Sequence, residues 1–251
     1  MVTKYIITGN VIEVYTYEKY TAGTGGKREK KDKLKNDFDE LTLLNYKNHC
    51  QVRLNNIRRL ACSNFSRNST FVTLTFDDAK VDFDIKNVNV CRYHFKKFIQ
   101  RLKYVLQNQN LKYLAVVEFQ DSNDRGAIHY HVLFDIPYID FAILSNTWGM
   151  GFCWITNIQH VDNVGAYLVK YICKDGGDPR LMGKNAYLHS KNLHKPTSYI
   201  LLDDQEAAPV YYQIDTVIAN LETVYECNYN TELLGKVNYK QYNLERGFLL
   251  T

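Results

Sequence analysis

Apolar and polar positions change period several times along this 251-residue chain. Residues 70–76 (TFVTLTF) are short, apolar and β-branched, and they predict a buried strand. Residues 92–106 (RYHFKKFIQRLKYVL) switch to helical spacing. Phe95, Phe98, Ile99, Leu102 and Val105 share one side, and Lys96, Lys97, Arg101 and Lys103 occupy the others. Strand patterns return at 112–120 (KYLAVVEFQ) and, after the polar loop DSNDRGA, at 128–136 (IHYHVLFDI). Residues 139–147 read as a helix, Trp148 to Gly151 as a turn, and 152–158 (FCWITNI) as a fourth strand. Asn163 or Asp162 caps a helix predicted from about Val164 to Lys174, which Gly176 and Gly177 end.

Either side of this block the pattern is looser. Residues 4–20 carry two β-branched and aromatic runs around Gly9-Asn10, which predicts a hairpin. Residues 22–36 are Gly-rich and then densely charged, the composition of a linker. The stretch GTGGKR inside it lacks the spacing of a phosphate-binding P-loop, and no apolar strand runs into it. From Asp37 to Cys62, Leu41, Leu44, Tyr46, Val52, Leu54, Ile57 and Leu60 predict one or two helices, with Arg53, Arg58 and Arg59 forming a basic face. Beyond about 201 helix and strand cues mix. The expected organisation is therefore an N-terminal hairpin and linker (1–36), a catalytic domain (37–200) and a C-terminal accessory segment (201–251). The succession of strands and helices predicts α+β, a central antiparallel sheet with flanking helices, rather than a doubly wound parallel sheet.

Composition narrows the function only a little. Lys and Arg total 31 against 27 Asp and Glu, so a net charge of +4 neither requires nor excludes nucleic acid; a local basic face decides that. The six cysteines form no CxxC pair and lie scattered in apolar segments, which points to reduced thiols in a cytoplasmic protein. No apolar run approaches the roughly 20 residues of a membrane span.

The candidate chemistry lies in three places. On a strand, His129 and His131 project to the same side while Tyr130 and Val132 point to the other. Two imidazoles so placed suit a shared metal ion if a third ligand is near. Glu118 interrupts the apolar run AVVEF, and a short loop joins its strand to the His strand, so the two should pair antiparallel. A carboxylate there is costly unless exposed or partnered, and Glu118 is the expected third ligand, with Gln120 on the same face as substitute and Asp121 and Asp124 as weaker candidates. Tyr167 and Tyr171 are four apart in AYLVKYICK and share a helical face, with Lys170 and Lys174 on or beside it. A cation beside a Tyr favours the phenolate and balances phosphate charge, as a nucleophile requires.

Taken together, these motifs resemble the HUH endonuclease superfamily, in particular rolling-circle replication initiators of small phages and plasmids. The resemblance covers about Asn64 to Pro196. NFSRNSTFVTLTF is similar to the family's first motif, HYHVLF to its metal motif, WGMGF to the W-G-x-G-F turn that separates metal and tyrosine motifs, and YLVKYICK to the paired Y-x-x-K-Y-x-x-K form typical of microvirus-like members. The resemblance implies a five-stranded antiparallel sheet of RRM-like type with the Tyr helix beside the metal. It implies nicking and joining of single-stranded or supercoiled origin DNA with Mg²⁺ or Mn²⁺. Tyr171 would serve as primary nucleophile and Tyr167 as a second, assisted by Lys170 and Lys174. Arg53, Arg58, Arg59, Lys96, Lys97 and Arg101 are the candidate phosphate contacts. Nothing resembles a helicase motif, so a host helicase, supercoiling or a hairpin would open the strands and a host polymerase would extend the 3′ end. Two alternatives use part of the same pattern: a single-tyrosine transposase or relaxase, and a non-catalytic nucleic-acid-binding module on an RRM-like sheet. Relaxases place their Tyr before the His cluster, whereas Tyr171 follows it.

Overall fold

In the computed structural model, residues 1–19, 40–121, 125–171, 178–202 and 209–246 are described, with side chains from residue 49 onward in the first helix. The fold is α+β, with two five-stranded antiparallel sheets and five helices among the described residues. The chain divides into two compact units, 46–195 and the combination of 1–45 with 196–251. The segment 22–36, read from sequence as a linker, lies outside the described residues.

The unit 46–195 is built on β3 (Thr70–Thr75), α2 (Val88–Val105), β4 (Tyr113–Gln120), β5 (Ala127–Phe134), α3 (Phe141–Trp148) and β6 (Cys153–Thr156). The strands pair in the order β6-β3-β5-β4, the split β-α-β arrangement of RRM-like sheets. A three-residue strand, β7 (Tyr187–His189), adds an edge beside β4. Central β5 is buried along its whole length because both faces of the sheet are covered. Tyr130, Val132 and Phe134 pack with Phe95, Phe98, Ile99 and Leu102 of α2 and with Leu144 and Trp148 of α3. Each of these large side chains contributes about 1.5–3 kcal/mol by leaving water.

The helix boundaries have local causes. Asn87 caps α2 by accepting from the backbone amides of Asn89 and Val90, so α2 begins before the stretch legible from apolar spacing. Asp140 caps α3, and Gly149 ends it in the left-handed conformation (φ 67°). On the other side of the sheet run α1 (Glu40–Cys62), a single helix, and α4 (Val164–Val169), capped by Asn163. Ile57 and Ala61 of α1 and Val164 and Leu168 of α4 pack on Phe71, Leu114, Val116 and Leu133. The described part of α4 stops short of the predicted end near Lys174, and residues 172–177, including Lys174, Gly176 and Gly177, lie outside the described residues.

In the other unit, β1 (Val2–Thr8) and β2 (Val11–Tyr17) form the expected hairpin, with Gly9 at φ 59° at the turn. The hairpin is the middle of a sheet ordered β8-β1-β2-β10-β9, where β8 is Thr197–Leu202, β9 Thr223–Thr231 and β10 Gly235–Asn243. The N-terminal hairpin and the C-terminal segment, separate in the sequence reading, thus share one sheet. Helix α5 (Pro209–Ile218) packs Ile214 against Tyr5, Ile12, Val14 and Tyr242, and the Tyr5 hydroxyl donates to Asp215 at 2.9 Å.

Candidate active site

Strand register assembles the site. Thr75, His129 and Glu118 lie in one row across β3, β5 and β4. Thr73, His131 and Val116 form the next, and Phe71, Leu133 and Leu114 the third. All nine share the face opposite α2, by the alternation of strand side chains. The third row is apolar and sits under α1 and α4. Polarity therefore rises along one face, from the helix-covered end to the His row.

His131 is held at both ring nitrogens. Its Nδ1 lies 3.1 Å from the Thr73 hydroxyl, and its Nε2 lies 2.6 Å from a Glu118 carboxylate oxygen. A carboxylate only accepts, so the Nε2 proton faces Glu118 and Thr73 donates to Nδ1. The Glu118 side chain is 19% exposed. His129 is 9% exposed, and among the described residues its Nε2 has no hydrogen-bond partner. Burial first, and the neighbouring His131 second, push its pKa down to about 4, so it is neutral at neutral pH, the form that donates to a metal.

The tyrosines enter from α4. Gly165 allows close approach to α1: a Cβ there would lie 2.3 Å from the Arg58 carbonyl oxygen and 2.7 Å from Cys62 Sγ. The Cys62 thiol also donates to the capping Asn163 side chain at 3.3 Å. This contact sets Tyr167 and Tyr171 against the sheet. The Tyr171 ring stacks on His131, with centroids 3.9 Å apart and planes 19° from parallel. Tyr167 meets Phe71 edge-on at 5.1 Å, and the Tyr171 hydroxyl donates to the Tyr167 hydroxyl at 3.3 Å.

One electrostatic expectation changes. The Lys170 ammonium lies over the Tyr167 ring at 3.5 Å and 5.4 Å from the Tyr171 ring centroid, a cation–π position against the ring faces. Burial, then the hydrogen bond to Tyr167, then the charges of Tyr167 and Glu118 raise the Tyr171 pKa above the usual phenol range. Tyr171 is therefore held as a neutral phenol, not as a phenolate stabilised by Lys170.

The remaining predicted residues separate. Gln120 accepts from Arg125, which also donates to the Phe76 carbonyl. Asp121 is gripped by both terminal nitrogens of Arg180, while Asp124 lies outside the described residues. Arg53, Arg58 and Arg59 ride on α1, on the His side of the sheet. Lys96, Lys97 and Arg101 ride on α2 across the sheet, where Arg101 donates to the Thr147 carbonyl. The two basic groups therefore do not converge on the His row.

The WGMGF turn has a positional role. The Trp148 indole donates to the Thr75 carbonyl at 2.8 Å, and a Cβ on Gly151 would lie 2.2 Å from that same oxygen. The turn thus fixes the end of β3 beside His129. Thr73 and Phe71 escaped the sequence reading; the T-x-T alternation in TFVTLTF, taken with antiparallel pairing to the His strand, is the signal that would have found Thr73.

Among the described residues, no group of three or more His, Cys, Asp or Glu side chains stands arranged to hold a metal ion. His131 and Glu118 are hydrogen-bonded to each other instead. The donor set nevertheless suits a divalent ion: a neutral imidazole with an unpartnered nitrogen, a second imidazole oriented by Thr73, and a carboxylate in the same two rows. Among the described residues, no helix is long and apolar enough to cross a membrane. No curated protein and no solved structure matches the chain. Residues 69–176, which include both His, Glu118 and both Tyr, match the family model described as replication-associated protein ORF2, and this supports a family of rolling-circle replication initiators and a role in DNA replication.

Proposed function

We propose that this chain nicks and rejoins single-stranded origin DNA by tyrosine transesterification, and so starts rolling-circle replication. The observation that carries the proposal is the stacking of Tyr171 on His131, itself bonded to Glu118, within the segment that matches a replication-associated family. A non-catalytic sheet would have no use for a phenol, two imidazoles and a carboxylate gathered on one partly buried face.

The residues divide the work as follows. The Tyr171 oxygen attacks the scissile phosphorus, a P–O bond forms, and the bond to the 3′ oxygen breaks. The leaving 3′ oxygen takes up a proton and the 5′ phosphate stays on Tyr171. The phenol proton has the Tyr167 oxygen as its nearest acceptor at 3.3 Å. Because the phosphodiester is exchanged rather than hydrolysed, a later 3′ hydroxyl can attack the phosphotyrosine, reseal the strand and regenerate Tyr171. His129, His131 and Glu118 would hold the Mg²⁺ or Mn²⁺ ion, which supplies Lewis-acid stabilisation of charge on the phosphate oxygens. Thr73 keeps His131 in the required tautomer, and Lys170 and Lys174 add positive charge on the tyrosine side. A host polymerase would extend the free 3′ hydroxyl, with a host helicase opening the duplex.

The test is incubation with an origin-bearing oligonucleotide and Mn²⁺, followed by a denaturing gel. A protein–DNA adduct lost in Tyr171→Phe supports the proposal. Strand cleavage without any adduct, or an adduct retained in Tyr171→Phe, overturns it.

A further inference from the structure

Two of the most exposed large apolar side chains lie beside this site, and the mechanism does not use them. Phe152 and Trp154 are each 69% exposed. Trp154 belongs to edge strand β6 and pairs with Thr73, whose other neighbour across the sheet is His131. It therefore stands in the His131 row, on the same face, two strands and so roughly 10 Å away. Phe152 is two residues earlier, and strand alternation puts it on that face as well, level with Thr75 and His129. Its backbone exchanges hydrogen bonds with Thr75, amide to hydroxyl at 3.2 Å and carbonyl from amide at 2.9 Å. The tight Gly151 turn precedes it.

An edge strand is where exposed aromatics are least expected. Neighbouring copies stick to bare edges, and natural edges are usually blunted with charges, Pro or bulges. Here the edge shows two rings, on a backbone fixed by β3 and the turn, pointing to the side where the scissile phosphate would sit. A cation stands at the rings too: the Lys80 ammonium lies 5.4 Å from the Phe152 centroid. Planar rings next to a cation are what an unpaired base and its phosphate require: π-stacking is indifferent to base identity, and the ammonium meets the backbone charge.

We infer that Phe152 and Trp154 form a stacking platform for unpaired bases of the DNA strand next to the scissile phosphate, with Lys80 as a phosphate contact. The inference rests on the proposed nicking activity for its substrate, but not for its chemistry. The platform orients the strand across the His row and toward Tyr171, and it selects single-stranded over duplex DNA because paired bases do not offer their faces.

The chain has two Trp; Trp148 is buried and Trp154 exposed, so intrinsic fluorescence reads the platform directly. The test titrates the full chain with oligodeoxythymidylate in metal-free buffer under Trp-selective excitation. Quenching is expected with the single strand and absent with duplex of the same length, retained in Tyr171→Phe and abolished in Trp154→Phe. Trp154→Ala and Phe152→Ala, both at exposed positions, should weaken binding about five- to a hundredfold. Unchanged emission on DNA binding, or quenching that persists in Trp154→Phe, overturns the platform. So does emission that depends on protein concentration without DNA and loses that dependence in Trp154→Ala, because a second copy would then cover the rings. Adduct formation with Mn²⁺, measured separately, tells a failed platform from a failed nicking activity: adduct without quenching removes only the former, and quenching without adduct only the latter.

Discussion

Adding one methyl group at Gly165 tests whether the α1–α4 contact places the nucleophile. In Gly165→Ala the new Cβ would sit 2.3 Å from the Arg58 carbonyl oxygen and 2.7 Å from Cys62 Sγ, whereas ordinary contact begins near 3.4 Å. The backbone oxygen has no rotamer with which to yield, so α4 must back away from α1 by about 1 Å. Overpacking of this kind costs about 1–3 kcal/mol, which lowers the melting temperature of a protein this size by a few degrees. The functional cost is larger. Tyr171 is carried just past the end of α4, and its ring lies 3.9 Å from His131; displacing a reacting group by about 1 Å costs on the order of 10²-fold in rate. The assay is single-turnover adduct formation with Mn²⁺, run beside thermal melting. Ala166→Gly is the control, because Ala166 is exposed on the same helix and the change costs about 1 kcal/mol of helix propensity without moving α4. Adding Cys62→Ala to Gly165→Ala relieves the sulfur contact but not the carbonyl, so rescue should be partial. A folded Gly165→Ala protein that forms adduct at the wild-type rate would refute the reasoning.

Other expectations follow from the same geometry. Tyr171→Phe should abolish the adduct, while Tyr167→Phe should still nick but fail in the second strand transfer; reversed phenotypes on a denaturing gel would reverse the assignment. Thr73→Val keeps the shape but removes the hydroxyl donated to His131 Nδ1, so the Mn²⁺ concentration needed for adduct formation should rise about 10- to 100-fold; an unchanged metal titration would count against a ligand role for His131. Lys96 and Lys97 lie on the α2 side of the sheet, so neutralising both should leave the dependence of DNA affinity on salt nearly unchanged. A slope that drops by about two would put DNA on that face instead.

What could be read from sequence, and what could not, divides along local and non-local lines. His129 and His131 share a face because strand alternation is a property of the backbone, and Glu118 stood out because a carboxylate inside AVVEF demands a partner. The short loop after Gln120 then fixed their antiparallel pairing, and the structure places Glu118 opposite His129 and bonded to His131. The Asn163 cap and the Gly149 helix end were legible for the same local reason. The second sheet was not. Its β2 pairs with β10 more than 200 residues away, and no local pattern encodes such a pairing. Which side of the sheet α2 takes was equally hidden: Lys96, Lys97 and Arg101 look like any basic helix face until Phe95 and Phe98 are seen packing on the Tyr130 side. The effect of Lys170 on Tyr171 depended on where a flexible ammonium comes to rest, which spacing alone does not specify.

The most direct test of the central claim uses supercoiled DNA carrying the origin of the chain's own replicon, incubated with the full chain with and without Mn²⁺. Products are resolved on a denaturing gel, and the linked peptide is identified by mass spectrometry. The account predicts Mn²⁺-dependent relaxation of the supercoil, with the 5′ phosphate on the peptide containing Tyr171 and a free 3′ hydroxyl that a polymerase extends. Relaxation with no DNA-linked peptide, or linkage at a residue other than Tyr171 or Tyr167, would contradict it.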